Sequence, residues 1–140
     1  EGSVWGTGVS WGGSAVPIEN CVGLSNSFSV NIGGNIATSP RVMIVVPTGK
    51  SSSNLRVQRI KAGAIHDEVS YDSLSAEDEL LVDARGMIVE LNGGEGYTAD
   101  FDYLRPAWLR LEPGDNTIRV LQDAPTDEVD VQIRYYEAYV

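Results

Sequence analysis

The chain has 140 residues, of which 42% are hydrophobic, enough for one buried core and at most two very small domains. Twenty acids against ten bases leave a formal charge of −10. That balance excludes the cation-rich surface needed to displace counterions from nucleic acid, and it argues equally against docking on an anionic bilayer. A single cysteine rules out an intrachain disulfide or a CxxC metal cluster, and a single histidine makes a His-based zinc site or a catalytic triad a poor fit. No apolar run approaches the roughly 20 residues of a bilayer-spanning helix, and no basic-then-apolar leader can be read. The first residue is Glu1 rather than Met, as expected of a processed chain or an excised piece.

Charge is distributed in blocks. Residues 1–40 carry only Glu1 and Glu19, residues 41–66 carry Arg41, Lys50, Arg56, Arg59 and Lys61 with no acid, and most acids follow after residue 66. Two outcomes are open. Either the surface is dipolar and orients contacts in an assembly, or the strands interleave and the blocks cancel.

In chain order, residues 1–24 are rich in Gly and Ser and include Trp5 and Trp11, which predicts an extended segment serving as an edge strand or a linker. Residues 25–140 are expected to form a single domain. Within it, Ser27 to Ile32 alternates with Phe28, Val30 and Ile32 on one side, the period-2 pattern of a half-buried strand. Val42 to Val46 is apolar at both parities and bracketed by Pro40 and Pro47, which predicts a central strand covered on both faces. Leu55 and Val57 share a phase that Ile60 breaks, so a bulge or strand end is expected near Gln58–Arg59. Ser75-Ala76-Glu77-Asp78-Glu79 has helical flavour for one turn.

Leu80–Val82 and Met87–Leu91 flank Asp83-Ala84-Arg85-Gly86, a hairpin in which Gly86 is available for a positive φ. Asn92-Gly93-Gly94 supplies a second turn of the same chemistry. Leu109 and Leu111 then share a phase before Glu112-Pro113-Gly114-Asp115. There Pro113 and Gly114 fit the two central positions of a type II turn, and Asn116 can satisfy backbone groups as the chain re-enters a sheet. Ile118 and Val120 follow in phase, and the last strand runs Val129, Val131, Ile133, Tyr135. Strands at intervals of about 8–12 residues with Gly, Pro and Asn punctuation predict an all-β chain, an antiparallel sandwich or barrel.

No enzyme signature emerges. Glu77-Asp78-Glu79, Asp100 with Asp102, and Asp127-Glu128 with Asp130 are carboxylate groups, but they fall mostly in turns, where solvated acids are the simpler reading than a glycosidase pair. Asp100 and Asp102 with Glu95 offer oxygen ligands for calcium without the spacing of an EF-hand, and no metal site is assigned. Cys21 and His66 lack an orienting third group, so a structural thiol and a strand histidine are expected. Ser14 and Ser51-Ser52-Ser53 lack the G-x-S-x-G elbow, and the glycines near residues 6–13 precede no helix that would make them a phosphate cradle. No cofactor is implied. Among the aromatic residues, Tyr135 reads as core, whereas Trp108, Tyr97, Tyr103, Tyr136 and Tyr139 are the candidates for stacking against a sugar or docking a partner.

From about residue 25 onward the chain resembles the C-terminal domain of siphovirus distal tail (Dit-like) proteins. The residues that carry the resemblance are Ser29-Val30-Asn31-Ile32-Gly33-Gly34-Asn35 with Thr38-Ser39-Pro40, then Val42–Val46. They continue with Leu80-Leu81-Val82-Asp83, Val89-Glu90-Leu91-Asn92-Gly93 and Trp108 through Ile118, and close on Val129 through Tyr136. The resemblance implies an antiparallel β-sandwich of galectin-like or jelly-roll-like architecture. It implies a non-enzymatic structural part of a phage tail tip or baseplate, located in the virion and made in the host cytoplasm. The expected partners are other tail-tip proteins, with an oligomeric ring in the full-length protein. A carbohydrate-binding module that recognises a cell-surface saccharide is the alternative expectation.

Overall fold

The computed structural model describes residues 14–95 and 108–136. Eleven strands follow one another, with no helix among the described residues: β1 (Ser14–Ala15), β2 (Glu19–Val22), β3 (Ser25–Ile32), β4 (Arg41–Val45), β5 (Ser52–Lys61), β6 (Ala64–Leu74), β7 (Glu79–Asp83), β8 (Ile88–Leu91), β9 (Gly94–Glu95), β10 (Gly114–Leu121) and β11 (Glu128–Tyr135). The larger sheet runs β1-β11-β4-β7-β8-β9, and β2 pairs β11 further along the edge that β1 occupies. The smaller sheet runs β3-β10-β5-β6. All pairings are antiparallel. The fold is thus a two-sheet β-sandwich.

The alternation read from the sequence sets the core. Val30, Ile32, Leu55, Val57, Val69, Tyr71, Ile118 and Val120 point inward from the smaller sheet. Val42, Ile44, Leu80, Val82, Val89, Val129, Val131 and Ile133 meet them from the larger one. Most of these residues are β-branched, which suits a pleated surface packed on one side. Burying each contributes about 1.5–3 kcal/mol relative to leaving it exposed.

Several local expectations hold. Pairing between β5 and β6 shifts register between Arg59 and Ile60, where the phase of β5 breaks. Asn92 and Gly93 take φ of 52° and 80°, the two left-handed positions of a primed hairpin turn. Gly114 has φ of 92°, a value that L residues rarely adopt. Asn116 satisfies that turn as expected. Its amide donates to the carbonyls of Glu112, Gly114 and Val30, and its Oδ1 accepts the Glu112 N–H.

Others are corrected. Residues 75–78 are a turn leading into β7, and Glu79 already belongs to that strand, so no helical turn forms. Glu77 has φ of 67°, and the Asp78 carboxylate accepts the Ser75 N–H at 2.8 Å, which closes the chain on itself. In the β7–β8 hairpin the left-handed residue is Met87, with φ of 53°, and not Gly86. Asp83 makes this possible by accepting the N–H groups of Arg85 and Gly86. β4 is central as expected, but only Val42 and Ile44 are buried. Met43 and Val45 are half-exposed, so its outer face is not covered by the described residues.

The connection from β10 to β11 carries the chain between sheets, and polar groups hold it. Gln122 is buried, accepts the Ser52 hydroxyl at 2.8 Å and donates to the carbonyls of Cys21 and Gly23. Asp127 is also buried, and one of its oxygens accepts from the Ser53 N–H, the Ser53 hydroxyl and the Ala124 N–H. It is therefore not the solvated turn acid expected from sequence. Burial pushes the Asp127 carboxyl up. Hydrogen bonds from the Ser53 hydroxyl and from the Ser53, Ala124 and Asp123 amides outweigh burial and hold it below the usual carboxylate range.

Truncating Asp127→Ala strands those donors, and it should cost about 2 kcal/mol in urea unfolding at neutral pH. Asp123→Ala, which removes an exposed 3.5 Å pair with Arg56, should cost under about 0.5 kcal/mol. Because the folded value of Asp127 lies below its unfolded value, its contribution is present above about pH 4 and is lost as pH falls through the folded value. The wild-type chain should therefore lose more stability than Asp127→Ala between about pH 5 and pH 2. Equal acid sensitivity in the two proteins would refute this role.

Candidate interaction surfaces

Two outer sheet faces remain once the core is filled, and they differ in chemistry. On the smaller sheet, β3 presents Ser27, Ser29 and Asn31 outward. Arg119, Gln58 and Glu68 face one another in register across β10, β5 and β6. Arg119 donates to Gln58 at 2.9 Å and Gln58 donates to Glu68 at 2.6 Å, so this row is internally satisfied. Asn31 donates to Asp115 in the same manner.

The larger sheet presents a hollow of about 410 Å³ on the outer face of β4, β7 and β8. Met43, Leu81 and Ile88 form its apolar part, and Glu79, Asp83 and Glu90 its acidic part, with Arg41 bound to Asp83 at 3.1 Å. Sequence reading did not single out this site. The signal was the double-parity apolar run of β4: its outward residue Met43 lies opposite the outward Leu81 of β7.

The positive block is paired within the fold. All five bases of the segment 41–66 reach acids from beyond residue 66. Lys50 meets Glu128, Arg56 meets Asp123 and Lys61 meets Glu112. Arg59, almost fully buried, holds Asp67 at 2.7 Å and Glu112 at 3.8 Å. The Lys61 ammonium, through its hydrogen bond, holds the Glu112 carboxyl below its ordinary value. The positive segment therefore forms no separate basic patch: Arg56, Arg59 and Lys61 on β5, Arg41 on β4 and Lys50 before β5 each lie beside an acid.

Of the five aromatic candidates, Trp108 is partly buried and packs against the core. Tyr136 is half-buried, with the Arg85 guanidinium 5.1 Å from its ring centroid, beside a second hollow that Ala37, Thr38 and Ser39 also line. Tyr97, Tyr103 and Tyr139 lie outside the described residues, as do Asp100, Asp102 and the side chain of Glu95. Tyr135 is core, as expected, and its hydroxyl donates to the Asn31 carbonyl of the opposite sheet at 3.2 Å.

Comparison with known proteins places this geometry. The model of the siphovirus-type tail component family, C-terminal domain, matches residues 33–139. No curated protein sequence matches the chain. Among solved structures, the chain is similar to the SPP1 Dit (gp 19.1) protein, described as a paradigm of the hub adsorption apparatus in phages infecting Gram-positive bacteria. The TM-score is 0.62 at 15% identity, covering 86% of this chain and 46% of that one. The chain thus spans less than half the length of that relative.

Cys21 and His66 do not form a dyad. Cys21 is buried on β2 of the larger sheet, and His66 is exposed on β6 of the smaller. Burial first, then the Glu19 and Asp130 carboxylates, push the Cys21 thiol up to about 11. The folded chain should therefore leave a disulfide reagent such as DTNB unreacted at pH 8, with one thiol released only on urea unfolding. Rapid labelling of the native chain would show instead an accessible thiolate.

Proposed function

Because the chain belongs to the siphovirus-type tail component family, matched as its C-terminal domain over residues 33–139, we propose that it is the peripheral β-sandwich of a distal tail protein. In this reading it makes non-enzymatic contacts within the tail tip or with adhesion components. The observation that carries the proposal is the family match laid over a two-sheet fold of the same kind as the SPP1 Dit protein. The construction of the sandwich supports it. Its interior is apolar and its crossover is pinned by buried hydrogen bonds, so its chemistry lies on its outer faces. An oligomeric ring is carried in this reading by the remainder of a full-length tail protein, since this chain corresponds to 46% of the SPP1 protein.

The test is to label purified virions with an antibody against the chain and to cross-link the same particles. Label at the tail tip, with cross-links from outer-face residues to neighbouring tail proteins, is the expected result. Particles that assemble complete tails without the chain would overturn the reading. A saccharide array probed with the isolated chain adds a second arm. Sharp retention of one cell-wall saccharide, lost in Trp108→Ala or Tyr97→Ala, would favour the carbohydrate-binding alternative.

A further inference from the structure

The hollow on the larger sheet combines features that specify an occupant. Met43 lies opposite Leu81 in register, Leu81 lies opposite Glu90, and Asp83 lies opposite Ile88. An apolar strip therefore crosses β4 and β7, with Ile88 one step along and 45% exposed. Glu79, Leu81 and Asp83 project from the same face of β7, so a carboxylate stands on each side of Leu81 along that strand, and Glu90 faces Leu81 from β8. Arg41 is engaged by Asp83, whereas no ion pair among the described residues involves Glu79 or Glu90.

An apolar floor bordered by two carboxylates that make no ion pair among the described residues discriminates among occupants. A wholly apolar partner would desolvate Glu79 and Glu90 with nothing to replace their water. A second copy of this chain brings its own formal charge of −10 against the same acids, which disfavours it. A lysine or arginine side chain fits both parts, laying its aliphatic stem on Met43 and Leu81 while its cationic end meets the carboxylates. Resting on the tail-component reading, we infer that this hollow docks a basic side chain flanked by apolar neighbours, carried on a loop or extended segment of an adjoining tail protein.

Two measurements test it. In the first, the full 140-residue chain, isotopically labelled, is titrated with a short peptide alternating Leu and Lys, and with its Leu–Glu counterpart. Chemical-shift changes should concentrate on residues 41–45, 79–83 and 88–91. The double variant E79Q/E90Q, which keeps shape and removes charge, should bind the basic peptide about tenfold more weakly. Asp72→Asn, on the exposed face of β6, should change affinity less than about twofold. Equal binding of the acidic peptide, shifts spread over the surface, or an equal loss in Asp72→Asn would overturn the inference as mere attraction to an acidic protein.

In the second, phage carrying E79Q/E90Q are compared with wild type for retention of the chain and its cross-linked neighbour at the tail tip. Loss of that neighbour with the chain still in place is expected. An unchanged neighbour would remove the inference and leave the tail reading intact. Absence of the wild-type chain from the tail would sink both.

Discussion

The hand-over from β10 to β11 is the constraint on which the sandwich depends. Each of these strands is internal to its sheet, β10 between β3 and β5, β11 between β4 and the β1–β2 edge. The connection at 122–127 therefore fixes how one sheet lies over the other. Its own backbone closes once, Asp127 N–H to the Ala124 carbonyl, and side chains fasten it to its surroundings: Gln122 bridges β5 to the end of β2, and Asp127 gathers donors from Ser53 and Ala124. Backbone bonds from Asp123 to Ser53 and from Glu128 to Ser51 complete the clamp. Buried polar groups of this kind add little net stability when satisfied but cost heavily when one partner is removed.

A second clamp closes the far end of the same two strands. Asn116 ties the start of β10 to β3 and to its own turn, and the Tyr135 hydroxyl at the end of β11 reaches the Asn31 carbonyl across the core. β10 and β11 are thus pinned at both ends. Sliding of the sheets would break polar bonds as well as apolar packing. Such a frame holds its outer faces in fixed geometry.

Much of this was legible in the chain. Strict alternation in Val129–Tyr135 and in Ile118–Val120 exposes one face of each strand, and Asn92-Gly93 and Pro113-Gly114 announce turns, with Asn92, Gly93 and Gly114 at positive φ and Pro113 held at negative φ by its ring. Of β6, running Ala64–Leu74, only His66 was read as a strand residue, and the length of the strand was not seen. Its outward side is Glu68, Ser70 and Asp72, its apolar positions are sparse, and the turn before it uses Ala62 at φ 52° with Gly63 instead of an Asn-Gly signal. Asp127 was misread because sequence shows a carboxylate in a turn but not the three donors that the β5 end and the loop itself bring to it. The hollow on β4, β7 and β8 was hidden for a similar reason. Its residues come from three strands, and only the pairing register sets Met43 beside Leu81.

Charge follows the same logic of register. Blocks of sign along the chain say nothing of their fate until strand order is known, and here order interleaves them. β5 carries three of the five bases of the positive segment. It lies between β10 and β6, so its arginines and lysine meet Asp67, Glu112 and Asp123. The acids left over after that pairing are the ones able to act on another molecule. On the outer face of the larger sheet, Glu79 and Glu90 are such acids among the described residues, and they stand beside the apolar side chains of Met43 and Leu81. Ten acids in excess of bases remain across the chain, and what sets Glu79 and Glu90 apart from the others is the apolar ground beside them.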